Sequence, residues 1–224
     1  NQAVTDNKLD VIYYLLMKKN TIKENLFKDN TKLRSISIPP SITSIGNHSF
    51  YKCTALTRVS IPNSVIEIGS NSFRECTSLF DIKIPSSVLF IKESAFSECT
   101  SLTKISIPSS VVSIGGGAFF KCKNLKEIVI HSQITSIERC TFKLCISLKK
   151  IVIPSSVKKI ESYAFNGCSS LTELFIPPSV KKIGWQAFYD CSSLKLISFP
   201  SSIDYSVEDF DKRTKVIKYD VNKT

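Results

Sequence analysis

Eight cysteines and two histidines are the residues of this 224-residue chain with the most chemistry open to them. Seven of the cysteines, Cys53, Cys76, Cys99, Cys122, Cys145, Cys168 and Cys191, fall 23 residues apart. Zinc sites draw on cysteines about two residues apart, and no such pair occurs. If equivalent residues stack as neighbouring parallel strands do, their Cα atoms lie about 4.8 Å apart, near disulfide range. Stacked side chains point the same way, however, whereas a bridge needs them to converge. The expectation is a column of free, buried thiols packed as small hydrophobes. Cys140 stands outside the series. Its column also holds His48, Asn71, Ser94, Gly117 and Tyr163, which is compatible with an exposed free thiol. His48 and His131 are 83 residues apart, and His131 takes the place of a recurrent proline. No carboxylate pair or Ser/His/Asp set recurs, and Gly115-Gly116-Gly117 lacks the Lys-Ser/Thr of a phosphate loop. The chain is not expected to be an enzyme, and no cofactor or metal is implied.

The same clock governs the elements around the cysteines. Proline recurs at Pro39, Pro62, Pro85, Pro108, Pro154, Pro177 and Pro200, and phenylalanine at Phe50, Phe73, Phe96, Phe119, Phe142, Phe165 and Phe188. Leucine keeps step from Leu33 to Leu194. The unit reads L-x-x-I-x-I-P-x-S-V-x-x-I-G-x-x-A-F-x-x-C-x-S. One unit carries too few inward residues to bury itself, so copies must stack and share a core. Ile-x-Ile, of period two and β-branched, predicts a short strand. Pro ends it, because it cannot donate to the ladder. Val-x-x-Ile-Gly suits a second extended segment. Ala-Phe-x-x-Cys suits one turn of 3₁₀ or α helix with Phe inward. A 23-residue period lies in the leucine-rich-repeat range. The expected fold is an α/β repeat solenoid: a right-handed leucine-rich-repeat superhelix with a parallel β-sheet on one face and short 3₁₀ or extended segments on the other.

The residues IPSSV…IG…AFxxCxSL resemble the signature of BspA-like leucine-rich repeats of bacteria and parasitic protists. The resemblance covers about residues 33–203. It implies a surface protein engaged in adhesion to host or microbial partners. The chain departs from the pattern at Ile130-His131-Ser132-Gln133, which loses Pro and Ser, and at Lys92, Glu138 and Glu161, which replace the Gly after Ile.

Three regions are expected. Residues 1–32 hold a partial repeat and an N-terminal capping helix over 7–19, with Leu9, Ile12, Tyr13 and Leu16 on one face. That stretch also looks like the second helix of an ankyrin repeat, so an ankyrin array could precede it. Residues 33–203 form the solenoid. Residues 204–224 form a degenerate C-terminal cap, in which Lys215-Val216-Ile217-Lys218-Tyr219 could close the exposed edge. Asn1 in place of Met predicts a trimmed or processed segment, so a missing leader says nothing of secretion. No run approaches the roughly 18 apolar residues of a membrane span. The sequons at Asn47 and Asn222 are usable only on a secreted chain.

Net charge is +11. Residues 121–199 hold twelve Lys and Arg against five Asp and Glu. Lys158-Lys159 and Lys181-Lys182 share a column and should stack into a basic ridge, attractive to a sulfated glycan, a sialylated surface, an anionic lipid or nucleic acid. Nucleic acid is the least favoured, because aromatic or Arg-rich interleaving is absent. On the Ile-x-Ile strand, the outward columns are small and polar in the first half of the array. In the second half they present Val129, Val152, Phe175 and Leu196, edged by Glu127, Lys150 and Glu173. An apolar strip rimmed by charge marks an interaction site. Val129, Lys150, Val152, Glu173, Phe175 and Leu196 are therefore the candidate partner-binding residues. The expected function is adhesion-type recognition of a protein or acidic glycan by a cell-surface or secreted module. The alternative is a cytoplasmic scaffold or regulatory protein holding a cellular enzyme on the same face.

Overall fold

The computed structural model describes residues 20–203, 210 and 213–220. Its strands are all parallel and lie on two sides of each coil. The short ones are β1 (Thr21–Ile22), β3 (Ser44–Ile45), β5 (Glu67–Ile68), β7 (Phe90–Ile91), β9 (Ser113–Ile114), β11 (Ser136–Ile137), β12 (Lys159–Ile160) and β14 (Lys182–Ile183). The front sheet is built from β2 (Ser35–Ser37), β4 (Arg58–Ser60), β6 (Asp81–Ile82), β8 (Lys104–Ile107), β10 (Glu127–Ile130), β13 (Glu173–Phe175), β15 (Leu196–Pro200) and β16 (Lys215–Tyr219). Pairing is 23 residues out of step, as in Ile36↔Val59 and Ile45↔Ile68, except at β16, whose Lys215 pairs with Leu196. Alternation follows the pleat: β4 reads exposed, buried, exposed, with Val59 facing in.

The expected α/β class and its helical segments are corrected. Among the described residues there is no helix; the solenoid is strands and turns. The capping helix expected at 7–19 falls outside the described residues. The Ala-Phe-x-x-Cys stretch fails to become helical because its amides alternate between two directions. In the Phe50 coil, Ser49, Tyr51 and Cys53 donate back to the carbonyls of Gly46, His48 and Phe50 at 3.4, 3.0 and 3.1 Å. His48, Phe50 and Lys52 donate instead to Ser70, Ser72 and Arg74 of the next coil at 2.9, 2.8 and 2.9 Å. Left-handed residues turn every other amide outward: φ is 54° at His48 and 58° at Lys52, and the same two columns are left-handed in the coils that follow. A helix would keep all these amides for itself. Here half of them bind coil to coil.

One continuous core runs the length of the array. At its centre the Phe rings stack without a break from Phe27 to Phe188. Centroids are 5.0 Å apart at Phe27–Phe50 and 5.7 Å at Phe119–Phe142, and most rings are nearly parallel. Phe210, which falls out of step in the sequence, still ends the stack at 5.7 Å from Phe188. In four units the Ser of Pro-x-Ser-Val ties coils at a corner, whereas the hydroxyl of Ser179 in Pro177-Pro178-Ser179-Val180 has no partner among the described residues. Ser64, Ser87, Ser110 and Ser156 donate to the carbonyls of Ile42, Val65, Val88 and Ile134 at 2.6 to 2.8 Å.

The ladders are interrupted at three places. The short strands do not pair between β9 and β11, where His131-Ser132-Gln133 replaces the Pro turn and leaves the Ser132 hydroxyl buried with no partner among the described residues. The front sheet opens between β6 and β8. It opens again between the Lys150 to Ile153 segment, joined to β10 only by the Glu127↔Lys150 bridge, and β13. The fold survives each gap because the Phe and Cys columns pass through it unbroken.

Candidate partner-binding surfaces

The seven in-register cysteines are buried and free. Each thiol reaches back to the preceding coil: Cys76 Sγ donates to the carbonyl of Phe50 at 3.0 Å, and Cys122 Sγ to that of Phe96 at 3.1 Å. The same holds from Cys53–Phe27 to Cys191–Phe165. Since the Cys53 amide also donates to the Phe50 oxygen at 3.1 Å, one carbonyl takes two bonds and satisfies both lone pairs. This explains a cysteine where another small hydrophobe would fill the space. Burial pushes the Cys53, Cys122 and Cys191 thiols up to about 12, and raises the other four well above the usual range. These sulfurs are held as thiols, the form least suited to nucleophilic or metal chemistry. Cys140, left-handed with φ 57°, is half-buried. It lines a depression of about 450 Å³ with Arg74, Glu93, Phe120 and Arg139. His48 lies beside Glu24 and Tyr51, far along the array from Cys140.

The front sheet places the six candidate partner-binding residues as follows. Val152 and Phe175 are exposed at 69% and 57%, Val129 is just exposed, and Leu196 is half-buried. The second opening of the sheet gathers Lys150, Val152, Glu173, Phe175 and Leu196 around one cavity of about 300 Å³, floored by Ile151 and Leu174. Val129 is not among them. It borders a separate cavity of about 520 Å³ at the first opening, with Asp81, Lys83, Lys104 and Glu127. Lys215–Tyr219, expected as a strand at this edge, pairs with β15, but sequence reasoning missed its contacts with Phe175 and Ile176. Tyr219 of β16 lays its ring on Phe175 at 5.4 Å and donates its hydroxyl to the Ile176 carbonyl at 2.6 Å.

Of the lysines of the expected basic ridge, Lys158, Lys159, Lys181 and Lys182 are all exposed, and Lys159 pairs with Lys182 across β12 and β14. The turn face beside it carries residues that the sequence reading passed over. Tyr163 and Trp185 meet edge to face at 5.2 Å and 78°. The Lys143 ammonium and Arg139 guanidinium lie 4.6 and 5.6 Å from the centre of the Tyr163 ring. The sole tryptophan, in a column otherwise held by Asn47, Ser70, Glu93, Gly116, Arg139 and Ser162, was the available signal. The first half of the turn face is neutralised internally. Arg74 pairs with Glu75 and Glu98 at 3.6 and 3.4 Å, Lys52 with Glu75 at 3.9 Å, and Lys121 with Glu98 at 3.6 Å.

A parallel solenoid of 23-residue coils with a Phe and Cys core, whose outward residues vary freely, is the architecture of a leucine-rich repeat protein. The BspA-type leucine-rich repeat region matches residues 20–148 and 90–216, in six copies. The chain belongs to that family. Solved structures agree. A leucine-rich repeat protein from Bacteroides ovatus shares the fold at TM-score 0.67 and 23% identity, covering 88% of this chain and 66% of its own. A leucine-rich repeat protein of T. pallidum has TM-score 0.59 and 31% identity over 78% of this chain and 71% of its own. A leucine-rich cell surface protein from Faecalibacterium prausnitzii has TM-score 0.52 and 30% identity over 84% of this chain and 64% of its own. This chain thus spans a little under two thirds of the Bacteroides and Faecalibacterium structures. No curated protein is significantly similar in sequence. Among the described residues no helix is long and apolar enough to cross a membrane.

Proposed function

We propose that this chain is a non-catalytic binding module of a cell-surface or secreted protein, and that it holds a protein partner on the second half of the front sheet. The observation that carries this is the cavity shared by Lys150, Val152, Glu173, Phe175 and Leu196. It lies at the lower end of ligand-pocket volumes, room for one large side chain. Its apolar rim offers an exposed aromatic anchor, and such anchors carry a disproportionate part of binding energy. Lys150 and Glu173 supply opposite charges that fix orientation rather than strength. Val129 forms the margin of the surface. A non-catalytic role is supported by the sequestration of the recurrent thiols, the most reactive groups the repeat carries. A surface location is supported by the similarity to the Faecalibacterium cell surface protein.

The test is binding of the full chain to a panel of immobilised extracellular proteins. Phe175→Ala should weaken the bound partner about 30-fold, the effect of losing one hot spot, and Val152→Asp by a similar factor. If Lys158→Glu with Lys181→Glu abolishes binding while Phe175→Ala does not, the sheet-face reading is wrong. Binding to cytosolic proteins alone would move the module inside the cell, to the role of a scaffold.

A further inference from the structure

We infer a second binding site, on the turn face of the Phe142, Phe165 and Phe188 coils, that takes a sulfated saccharide. It does not rest on the sheet-face proposal, since it uses a separate stretch of the same coils. The first observation is an aromatic platform that the fold does not need. Trp185 and Tyr189 are exposed at 56% and 48%, and Tyr163 joins Trp185 edge to face at 5.2 Å. Earlier coils fill the Trp185 column with Asn47, Ser70, Glu93 or Gly116, so packing does not ask for indole. An exposed indole face is a surface on which the C–H side of a pyranose ring can lie.

The second observation is where charge has been left uncompensated. The six ion pairs found among the described residues all lie between Glu24 and Lys121. Arg74, in the column of Lys143, is paired to carboxylates. By contrast, among the described residues Arg139, Lys143, Lys158, Lys159, Lys181 and Lys182 form no ion pair with any carboxylate. Lys181 Nζ donates only to the Pro178 carbonyl, at 3.2 Å. Glu138, Glu161 and Asp190 share these coils, and among the described residues none of them is ion-paired to the ridge. The ridge residue Lys182 and the platform residue Trp185 are three positions apart on one coil, and Lys159 and Tyr163 are four apart on the coil before it. Cations and rings therefore border one another along the array.

The kind of cation selects the ligand. Planar guanidinium suits bidentate carboxylate and phosphate, whereas lysine is a compact point charge on a flexible stem. Two lysine doublets, Lys158-Lys159 and Lys181-Lys182, on adjacent coils about 4.8 Å apart form a cluster of four point charges. That suits sulfate groups spaced along a linear polymer. Single-stranded nucleic acid would need successive parallel platforms for its bases, and Tyr163 and Trp185 stand at 78° to each other.

Trp185 is the only tryptophan, so its fluorescence reports on the site directly. Titrating the full chain with a heparin-type sulfated hexasaccharide should give a saturable change in that emission. The affinity should fall steeply as salt rises from about 0.05 to 0.5 M, as screening requires. Lys158→Glu with Lys181→Glu should weaken binding at least about tenfold, as loss of several charge contacts does. Trp185→Ala and Tyr163→Ala, followed calorimetrically, should each weaken it about tenfold, within the range for aromatic stacking. Phe175→Ala should change nothing, which separates this site from the sheet face. The proposal is overturned if the emission does not respond, if Trp185→Ala binds as the parent does, or if the desulfated hexasaccharide or a thymidine oligonucleotide binds equally well.

Discussion

Phe175 and Tyr219 stack with their ring centres 5.4 Å apart and their planes 16° apart, although a whole strand, β15, separates them. Tyr219 spans it because β16 pairs with β15 from Leu196↔Lys215 to Pro200↔Tyr219, which carries its hydroxyl over to the Ile176 carbonyl. Burial raises the phenol above its ordinary pKa. β16 is thus fastened at two depths, and the most exposed aromatic of the proposed binding face is held by another strand of the same chain.

A ring so held should cost more to remove than its exposure suggests. Phe175→Ala is expected to destabilise by about 1–2 kcal/mol. The coupling with Tyr219→Ala should be about 0.5–1.5 kcal/mol in a double-mutant cycle, the range for aromatic pairs. Phe119→Ala, which opens the central stack between Phe96 and Phe142, should cost about 3–5 kcal/mol. Denaturant midpoints for the three variants decide; no coupling between residues 175 and 219 would mean the stack contributes nothing.

Thiol reactivity should be sharply divided. An aromatic disulfide reagent should modify Cys140 in the native protein and the other seven cysteines only after denaturation, since those seven are buried and Cys140 is not. Mass spectrometry of the partly labelled chain assigns the site. Rapid labelling of Cys99 or Cys145 would show that the core column is open.

Alkali should unfold the chain. In the folded state the Cys53, Cys122 and Cys191 thiols titrate at about 12 against an ordinary value of 9.0, and burial raises the other four well above it. Between those limits the unfolded chain has lost protons that the folded chain still holds. Stability therefore falls with rising pH in that window, by up to about 1.4 kcal/mol per pH unit for each thiol. The thiol contribution is fully present below pH 9.0. Denaturant midpoints from pH 8 to 11 test this. A variant with Cys99 and Cys145 replaced by Ala should show the shallower slope, and an unchanged slope would contradict the account.

Ser49 and Ser72 should be improvable positions. Both hydroxyls are buried with no partner among the described residues, in a column where later coils carry Ala95, Ala118, Ala164 and Ala187. Ser72→Ala is expected to raise stability by about 1 kcal/mol, the order of an unsatisfied buried hydroxyl. A loss of similar size would reveal a hydrogen-bonding partner, such as an ordered water.

The repeat spacing revealed the coils, the inward Phe and Cys columns and the outward face of the front sheet, because each is a column read at one fixed interval. The non-helical turn was hidden for a physical reason. Left-handed backbone announces itself when glycine or asparagine occupies it, as at Gly117, Gly167 and Asn71, but here Lys52, Glu98, Leu144 and Tyr163 adopt it as well. Those residues are held there by the next coil, and an isolated window of sequence contains no next coil. The same holds for the openings of the front sheet, since Lys150-Ile151-Val152-Ile153 has the pattern of a strand yet lacks one neighbour. Tyr163 and Trp185 escaped notice because they sit in adjacent columns, 22 residues apart, and meet only when coils are stacked.

The 23-residue offset that recurs between paired strands from β1 to β15 makes the molecule a ruler graduated in coils. Every carbonyl of the Phe column offers the same seat to whichever coil follows, so removing or inserting one whole unit would leave each remaining junction chemically familiar. The distance between a feature near Arg74 and one near Trp185 can then change only in whole steps. Reach, for such a protein, is a counted quantity, and a lineage could tune it by duplication without redesigning a single contact.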